Sequence, residues 1–457
     1  MTLSPLLILL IGVAVIIGSI LILRINAFIA LITSAIVVSL LSPGEMSEKI
    51  SRVAAAFGAS AGGIGIVIAM AAVIGKCLMD SGAADRIVYS FTKALGQKRA
   101  PVALMGSGFV LSVPVFFDTV FYLLVPLARS LYRKRQKNYI LFLTAIVAGG
   151  AVTHSMVPPT PGPLAIADNL GIDLGLMMLV GTLVAVPMSV VGLSVCWILN
   201  RWQPIAMRPY PGESEPVALS EEELPPLGMA LLPVILPVVL IATHTIAVAV
   251  SDAASPRGEA ILGVTAVLGN PSLALLLSAA VSIFLVMRYR GHSRDQMSAS
   301  VEQALMSGGV VILITAAGGA FGKMLAAAGI QDAVAETMES GNLATGIAVL
   351  FAAFAVASLM KFAQGSGTVS MITTSSMFAA MGFTSEGLGF HLVYLATAIG
   401  SGSLVGDWMN NSGFWVFSKM SVLTTTETLK TWSILTASLG CTGLVVTVIA
   451  AVVFPLV

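Results

Sequence analysis

The chain has 457 residues and a net charge of +1, with 57% hydrophobic residues and only 10% charged ones; soluble domains carry about 25% charged residues. Mean hydropathy is +0.97, and apolar runs long enough to cross a bilayer recur from end to end, so an all-α polytopic membrane protein is expected. The near-zero charge excludes a nucleic acid or another polyanion as partner.

Spans follow from hydrophobic length, and sides from the distribution of Lys and Arg. The first run, at about 5–23, has no small-residue cleavage site and reads as a true span rather than a signal peptide. Further spans are expected at about 25–42 and 53–80, followed by a polar, positive stretch to Arg99. A broken apolar segment at about 101–128 ends in the strongest basic cluster, Arg129, Arg133, Lys134, Arg135 and Lys137. Basic residues on both flanks, with Pro114 between, predict a re-entrant hairpin opening to the cytoplasm. An interrupted helix at about 139–170 and a span at 174–199 complete a first half, 1–199. Residues 200–226, with prolines at 204, 209, 211 and 216 and with Glu221, Glu222 and Glu223, read as a cytoplasmic linker. The second half, 227–457, holds spans at about 227–250, 271–287, 301–327 and 431–455. It also holds a second hairpin, about 342–383, opening to the outer side, and a second interrupted helix, about 388–424. Counting sides from the basic loops puts both termini outside.

An internal repeat underlies this map. "GKCLMDSGAADRI" (75–87) matches "GKMLAAAGIQDAV" (322–334), with a constant offset at Gly75/Gly322, Lys76/Lys323, Leu78/Leu325, Gly82/Gly329 and Asp85/Asp332. The first copy ends its span inside and the second outside, so the repeats are expected to be inverted. Inverted repeats with discontinuous helices are transporter architecture, with the binding site near the midplane.

Irregular polar backbone survives in a membrane only where protein buries it or a cavity solvates it. Four stretches qualify. "SVPVFFDTVFY" carries Ser112, Pro114, Asp118 and Thr119; an acid this deep is functional by default and suits a proton carrier, the alternative being a cap on a hairpin arm. "THSMVPPTPGP" (153–163) cannot stay helical and offers His154, Ser155 and Thr160. His154 reads either as a titrating group or as a ring hydrogen-bonded to freed carbonyls. "MKFAQGSGTVSMITTSS" (360–376) carries Lys361, Gln364, Gly365, Ser366, Thr368, Thr373 and Thr374. Its glycines permit a tight turn and close backbone approach, its half-helix N-terminus favours an anion, and Lys361 adds a positive charge unless it snorkels to an interface. "GSGSLVGDWMNNSGFW" (400–415) carries Asp407, Asn410 and Asn411; the asparagines suit hydroxyls, and Asp407 either carries a proton, pairs with Lys361 or caps a half-helix. Lys76 and Lys323 read as interfacial. Cys77, Cys196 and Cys441 lack metal or redox spacing and read as buried small hydrophobes. No metal or cofactor is called for.

With "THSMVPPTPGP", the Gly365-Ser366, Thr368 and Thr373 pattern, "GSGS" followed by "NSGFWVF" (411–417), and "ETLKTWS" (427–433), the whole chain resembles the gluconate permease family, gluconate:proton symporters of a wider ion transporter superfamily. The resemblance implies a bacterial inner-membrane homodimer. It implies scaffold and transport domains moving as an elevator, and proton-coupled uptake of gluconate, related sugar acids or, in one branch, D-serine. Phe117-Asp118, Thr160, Lys361 and Trp408–Asn411 differ from the gluconate members, which bears on gluconate itself more than on the carboxylate class.

The expectation is therefore proton-coupled import of a small hydroxylated monocarboxylate. Lys361, Gln364, Gly365, Ser366, Thr368, Asn410, Asn411, His154, Thr160, Ser112 and Thr119 bind the substrate. Asp118 carries the proton, with Asp407 as second choice. In the empty site Asp118 and Lys361 compensate each other. Sodium coupling and a D-serine-type substrate remain alternatives. An intramembrane enzyme is disfavoured, because HExxH and a convincing nucleophile–base pair are missing. A channel is disfavoured because one central site between repeats suits alternating access.

Overall fold

The computed structural model describes residues 4–96, 99–209, 223–251, 255–330, 333, 346–409 and 411–457. Among them every regular element is helical. In chain order these are α1 (Pro5–Leu21), α2 (Ala27–Leu41), α3 (Ser51–Asp80), α4 (Ala83–Leu95), α5 (Ala100–Leu111), α6 (Phe117–Arg135), α7 (Tyr139–Met156), α8 (Pro161–Leu170) and α9 (Leu174–Trp202). After the linker come α10 (Leu227–Val250), α11 (Pro256–Leu268), α12 (Pro271–Arg290), α13 (Arg294–Ala327), α14 (Gly346–Gln364), α15 (Gly367–Ala380), α16 (Leu392–Gly402), α17 (Ser412–Met420) and α18 (Thr425–Val453). Seven helical stretches among the described residues are long and apolar enough to cross a membrane.

Four helices break where the sequence supplies a reason. Between α5 and α6, residues 112–116 contain Pro114, which has no N–H to donate. Between α7 and α8, Pro158 and Pro159 stop one helix, and Pro161 starts the next at the position where a missing N–H costs nothing. Between α14 and α15, Gly365 takes φ +82°, a left-handed conformation that glycine adopts without strain. Between α16 and α17 runs the irregular segment 403–411, of which Asn410 lies outside the described residues.

Several expectations change. The polar stretch after α3 is a helix, α4, with Ala83, Ala84, Ile87 and Val88 buried on one face and its charges on the other. A helix not expected from the sequence, α11, fills part of the gap before α12. Helices α1 and α2 have 17 and 15 residues, short of the ~20 that an upright crossing needs. Cys77 and Cys196 are buried, but Cys441 is exposed on α18. Of the linker, residues 210–222 lie outside the described residues, as do Lys98, Asp332 and the start of the second hairpin segment, 342–345.

Packing is built around α7, which is apolar throughout and buried on nearly every face, as expected of a helix hydrophobic all round. It lies against α5, α6 and α9. Small residues let the backbones touch: a Cβ on Gly149 would sit 2.0 Å from the Met105 carbonyl oxygen, and one on Gly108 2.8 Å from that of Ile146. A second set packs α8 on α15, α14 on α16 and α16 on α18, while α3 and α13 lie against each other and α15 rests on α13. Proline within a span is tolerated when the freed carbonyl finds another donor. Pro237 leaves the Pro233 carbonyl without its helical partner, and the Ser278 hydroxyl of α12 donates to it.

One end of the molecule is tied by charge. Arg208, at the start of the linker, forks onto Glu427 with contacts of 2.6 and 2.7 Å. This draws its guanidinium further above its already high pKa. Buried Arg129 donates to the Tyr139 hydroxyl (3.0 Å) and the Arg208 carbonyl (2.8 Å). Glu427 also closes a capping box with Thr424 that starts α18.

Gly149→Val should therefore push α5 off α7 and cost about 3 kcal/mol or more. Gly309→Ala, whose Cβ meets nothing within 4 Å, should leave stability unchanged or slightly higher. Melting temperatures of the two purified variants in detergent would show the contrast.

Candidate functional site

The breaks converge on one cavity of about 310 Å³, at the lower edge of the size range of small-molecule pockets. Its walls come from the start of α6 (Phe116, Phe117, Asp118), the end of α7 (Ala151, His154, Ser155), the α14–α15 turn (Lys361, Gly365–Thr368) and the segment entering α17 (Ser403, Asp407, Asn411–Gly413). Trp432 of α18 closes it.

Lys361 lies in the last turn of α14, where a cation complements the helix dipole. Its ammonium donates to the Gly365 carbonyl at 2.6 Å, which ties the turn to the helix that leads into it. It also pairs with the Asp407 carboxylate at 3.0 Å, and the two side chains are only 2% and 5% exposed. The Asn411 amide donates to both Asp407 oxygens, at 2.8 and 2.9 Å. The Asn411 side-chain oxygen accepts from the Gly413 N–H and caps α17. Trp408 stacks on Phe362 with centroids 5.4 Å apart, and its indole N–H donates to the Phe362 carbonyl. The loop that carries Asp407 is thus clamped over the end of α14.

Asp118 occupies the first turn of α6, where the positive end of a helix favours a carboxylate. It accepts from the Ser412 hydroxyl at 3.1 Å. The expected compensation of Lys361 by Asp118 is replaced by the Lys361–Asp407 pair, because the 403–411 loop folds back onto the same turn. Ser366 caps α15, accepting from the Val369 N–H. The N-terminal ends of α6, α15 and α17 all border the cavity. Each presents partly unsatisfied N–H groups, and together they give the cavity a positive bias.

Of the predicted site residues, the cavity gathers Asp118, His154, Lys361, Gly365, Ser366, Thr368, Asp407 and Asn411. Three lie elsewhere. Thr160 donates to the Val157 carbonyl at 2.6 Å and repairs the proline break instead. Ser112 is buried near Gly150. Thr119 points to a separate cavity of about 370 Å³ with Lys76 and Asp80, because it sits one residue round the helix from Asp118. For Gln364 the backbone ends α14, and Asn410 lies outside the described residues. Lys76, expected at an interface, is ion-paired with Asp80 at 2.6 Å.

Phe116, Phe117, Ser412 and Trp432 were not singled out from the sequence as site residues. Ser412 had a local signal, its position between Asn411 and Gly413 in an already polar stretch. The aromatics sit in apolar runs and carry the same pattern as core residues. Trp432 lies in a π-helical segment, Leu429–Ser433, a distortion frequent at functional sites.

A polar, ionic cavity among interrupted helices, within a bundle of membrane-length spans, defines a transporter. The model of the GntP family permeases matches residues 4–453, and the chain belongs to that family. It is a transporter rather than an enzyme, in the bacterial inner membrane. It is 32% identical to an uncharacterized permease of Haemophilus influenzae over 98% of this chain and 93% of the relative. It is 30% identical to the high-affinity gluconate transporter of Escherichia coli (96% and 98%). The Gnt-II system L-idonate transporter of the same organism is also 30% identical (96% and 97%). Among solved structures, the Alcanivorax borkumensis YdaH transporter superposes with a TM-score of 0.63 at 12% identity, covering 94% of this chain and 98% of that one. That likeness speaks to the fold.

The Lys361–Asp407 pair can be tested for stability. Removing one partner of a buried pair leaves an uncompensated charge, at about 3–5 kcal/mol. Asp407→Asn should cost on that order in detergent unfolding. Lys361→Met added to Asp407→Asn should recover most of the loss.

Proposed function

We propose that the protein imports a small hydroxylated monocarboxylate, a gluconate-like sugar acid or hydroxy acid, together with protons. The observation that carries this reading is the buried Lys361–Asp407 pair beside Asp118, in one cavity bordered by three helix N-termini. The substrate carboxylate competes with Asp407 for Lys361 and faces the N–H groups at the start of α15. Asn411 and Thr368 then meet hydroxyls. The relatives named as gluconate and L-idonate transporters support the substrate class.

Charge accounting supports proton coupling. With Lys361 charged and Asp118 and Asp407 ionised, the empty site carries one net negative charge, and an anionic substrate adds a second. Moving uncompensated charge through a low-dielectric interior is costly. A proton taken by Asp118 on loading returns the site to its empty charge.

For the movement, we propose an elevator in which the two hairpins and two interrupted helices carry the cavity past α3 and α13. In support of an inverted repeat, Gly82 and Gly329 end α3 and α13 at matching positions, with φ of +76° and +81°.

Proteoliposomes test the coupling. An inward proton gradient should drive gluconate accumulation, stronger with acid outside, and a sodium gradient alone should not. Asp118→Asn should abolish pH-driven accumulation while sparing gluconate exchange. Accumulation on sodium alone would overturn proton coupling, and pH-driven accumulation by the Asn variant would remove Asp118 from that role.

A further inference from the structure

Two residues that line the cavity carry buried ring nitrogens with no hydrogen-bond partner among the described residues: Nε1 of Trp432 and Nδ1 of His154. Trp432 is 2% exposed and firmly held. Its ring packs on Phe117 (centroids 5.3 Å apart) and on Phe417 (5.4 Å), and Phe417 packs on Phe121 (5.2 Å). A Cβ on Gly413 would lie 3.2 Å from the indole. His154 comes from a different helix, with its ring tilted on Phe116 at 6.0 Å.

An indole N–H can only donate, and leaving it buried and unmet is costly. Such groups are few in folded proteins, and each calls for a reason. The nearby carboxylates are engaged, Asp118 with Ser412 and Asp407 with Lys361 and Asn411. These ring contacts are apolar, so the packing alone does not require an N–H.

We propose that Trp432 is a specificity-determining residue whose N–H donates to a hydroxyl oxygen of the bound substrate, with His154 meeting a second hydroxyl. This rests on the carboxylate reading above and narrows it. Unmet polar atoms on two separate helices, each meeting a hydroxyl, select a polyhydroxylated acid over a short acid such as lactate. A site built to hydrogen-bond a hydroxyl rejects an analogue that lacks it, because the protein group is then left unpaired.

The test uses the purified full-length protein and calorimetric titration with gluconate, its monodeoxy analogues and lactate. For wild type, gluconate should bind most tightly and lactate least. Trp432→Phe should weaken gluconate about tenfold, equivalent to about 1.4 kcal/mol. It should leave unchanged the affinity for the one deoxy analogue that lacks the bonded hydroxyl. The unliganded melting temperature should fall only modestly, since the void left by the smaller ring is partly offset by removal of an unmet donor. Replacing the indole by benzothiophene, which keeps the bicyclic shape without the N–H, should reproduce the selective loss if the Phe variant misfolds. An unchanged gluconate affinity, or an equal loss for gluconate and every deoxy analogue, overturns the assignment of Trp432 alone. Wild-type protein that binds none of these acids overturns the carboxylate reading and this assignment with it.

Discussion

Lys361 and Asp407 neutralise each other in a place where neither charge is tolerable alone. Several contacts around the cavity hold that pair. The glycine turn brings a carbonyl to the ammonium, Asn411 fills the remaining carboxylate lone pairs, and Trp408 stacked on Phe362 holds the loop down. A buried ion pair adds little net stability compared with apolar packing of the same volume. Lys361 retains its bond to the Gly365 carbonyl, so an incoming anion can displace Asp407 without undoing the turn.

The same economy explains the helix breaks. In hydrocarbon an unmet backbone group is expensive, so a chain that interrupts four helices must shelter the ends. Here the ends shelter one another: Thr160 caps the proline break, Ser366 and Asn411 cap α15 and α17, and the remaining N–H groups border the cavity. The irregular backbone thereby gives the cavity its positive bias.

Much of this was legible in the sequence because it is written in residues with few uses. Proline clusters, paired glycines and acids in apolar runs mark breaks and buried charge whatever surrounds them. The partner of Lys361 was not legible. Choosing Asp407 over Asp118 depends on how the 403–411 loop folds back, and no local pattern encodes that path. Trp432 and Phe117 were hidden for another reason: an aromatic residue in a membrane helix looks the same whether it faces the core or a substrate. Helix α4 was missed because its alternating faces lowered its average hydropathy, and Thr119 was misplaced because one step along a helix turns a side chain by about 100°.

The bare backbone contact at Gly149 has a mechanical consequence. Where α5 meets α7 no layer of side chains intervenes, so nothing can slide or re-pack between them. The tip that leads into Asp118 and the helix end that carries His154 are fixed to one another. Any motion that opens the cavity must carry these two walls as one piece.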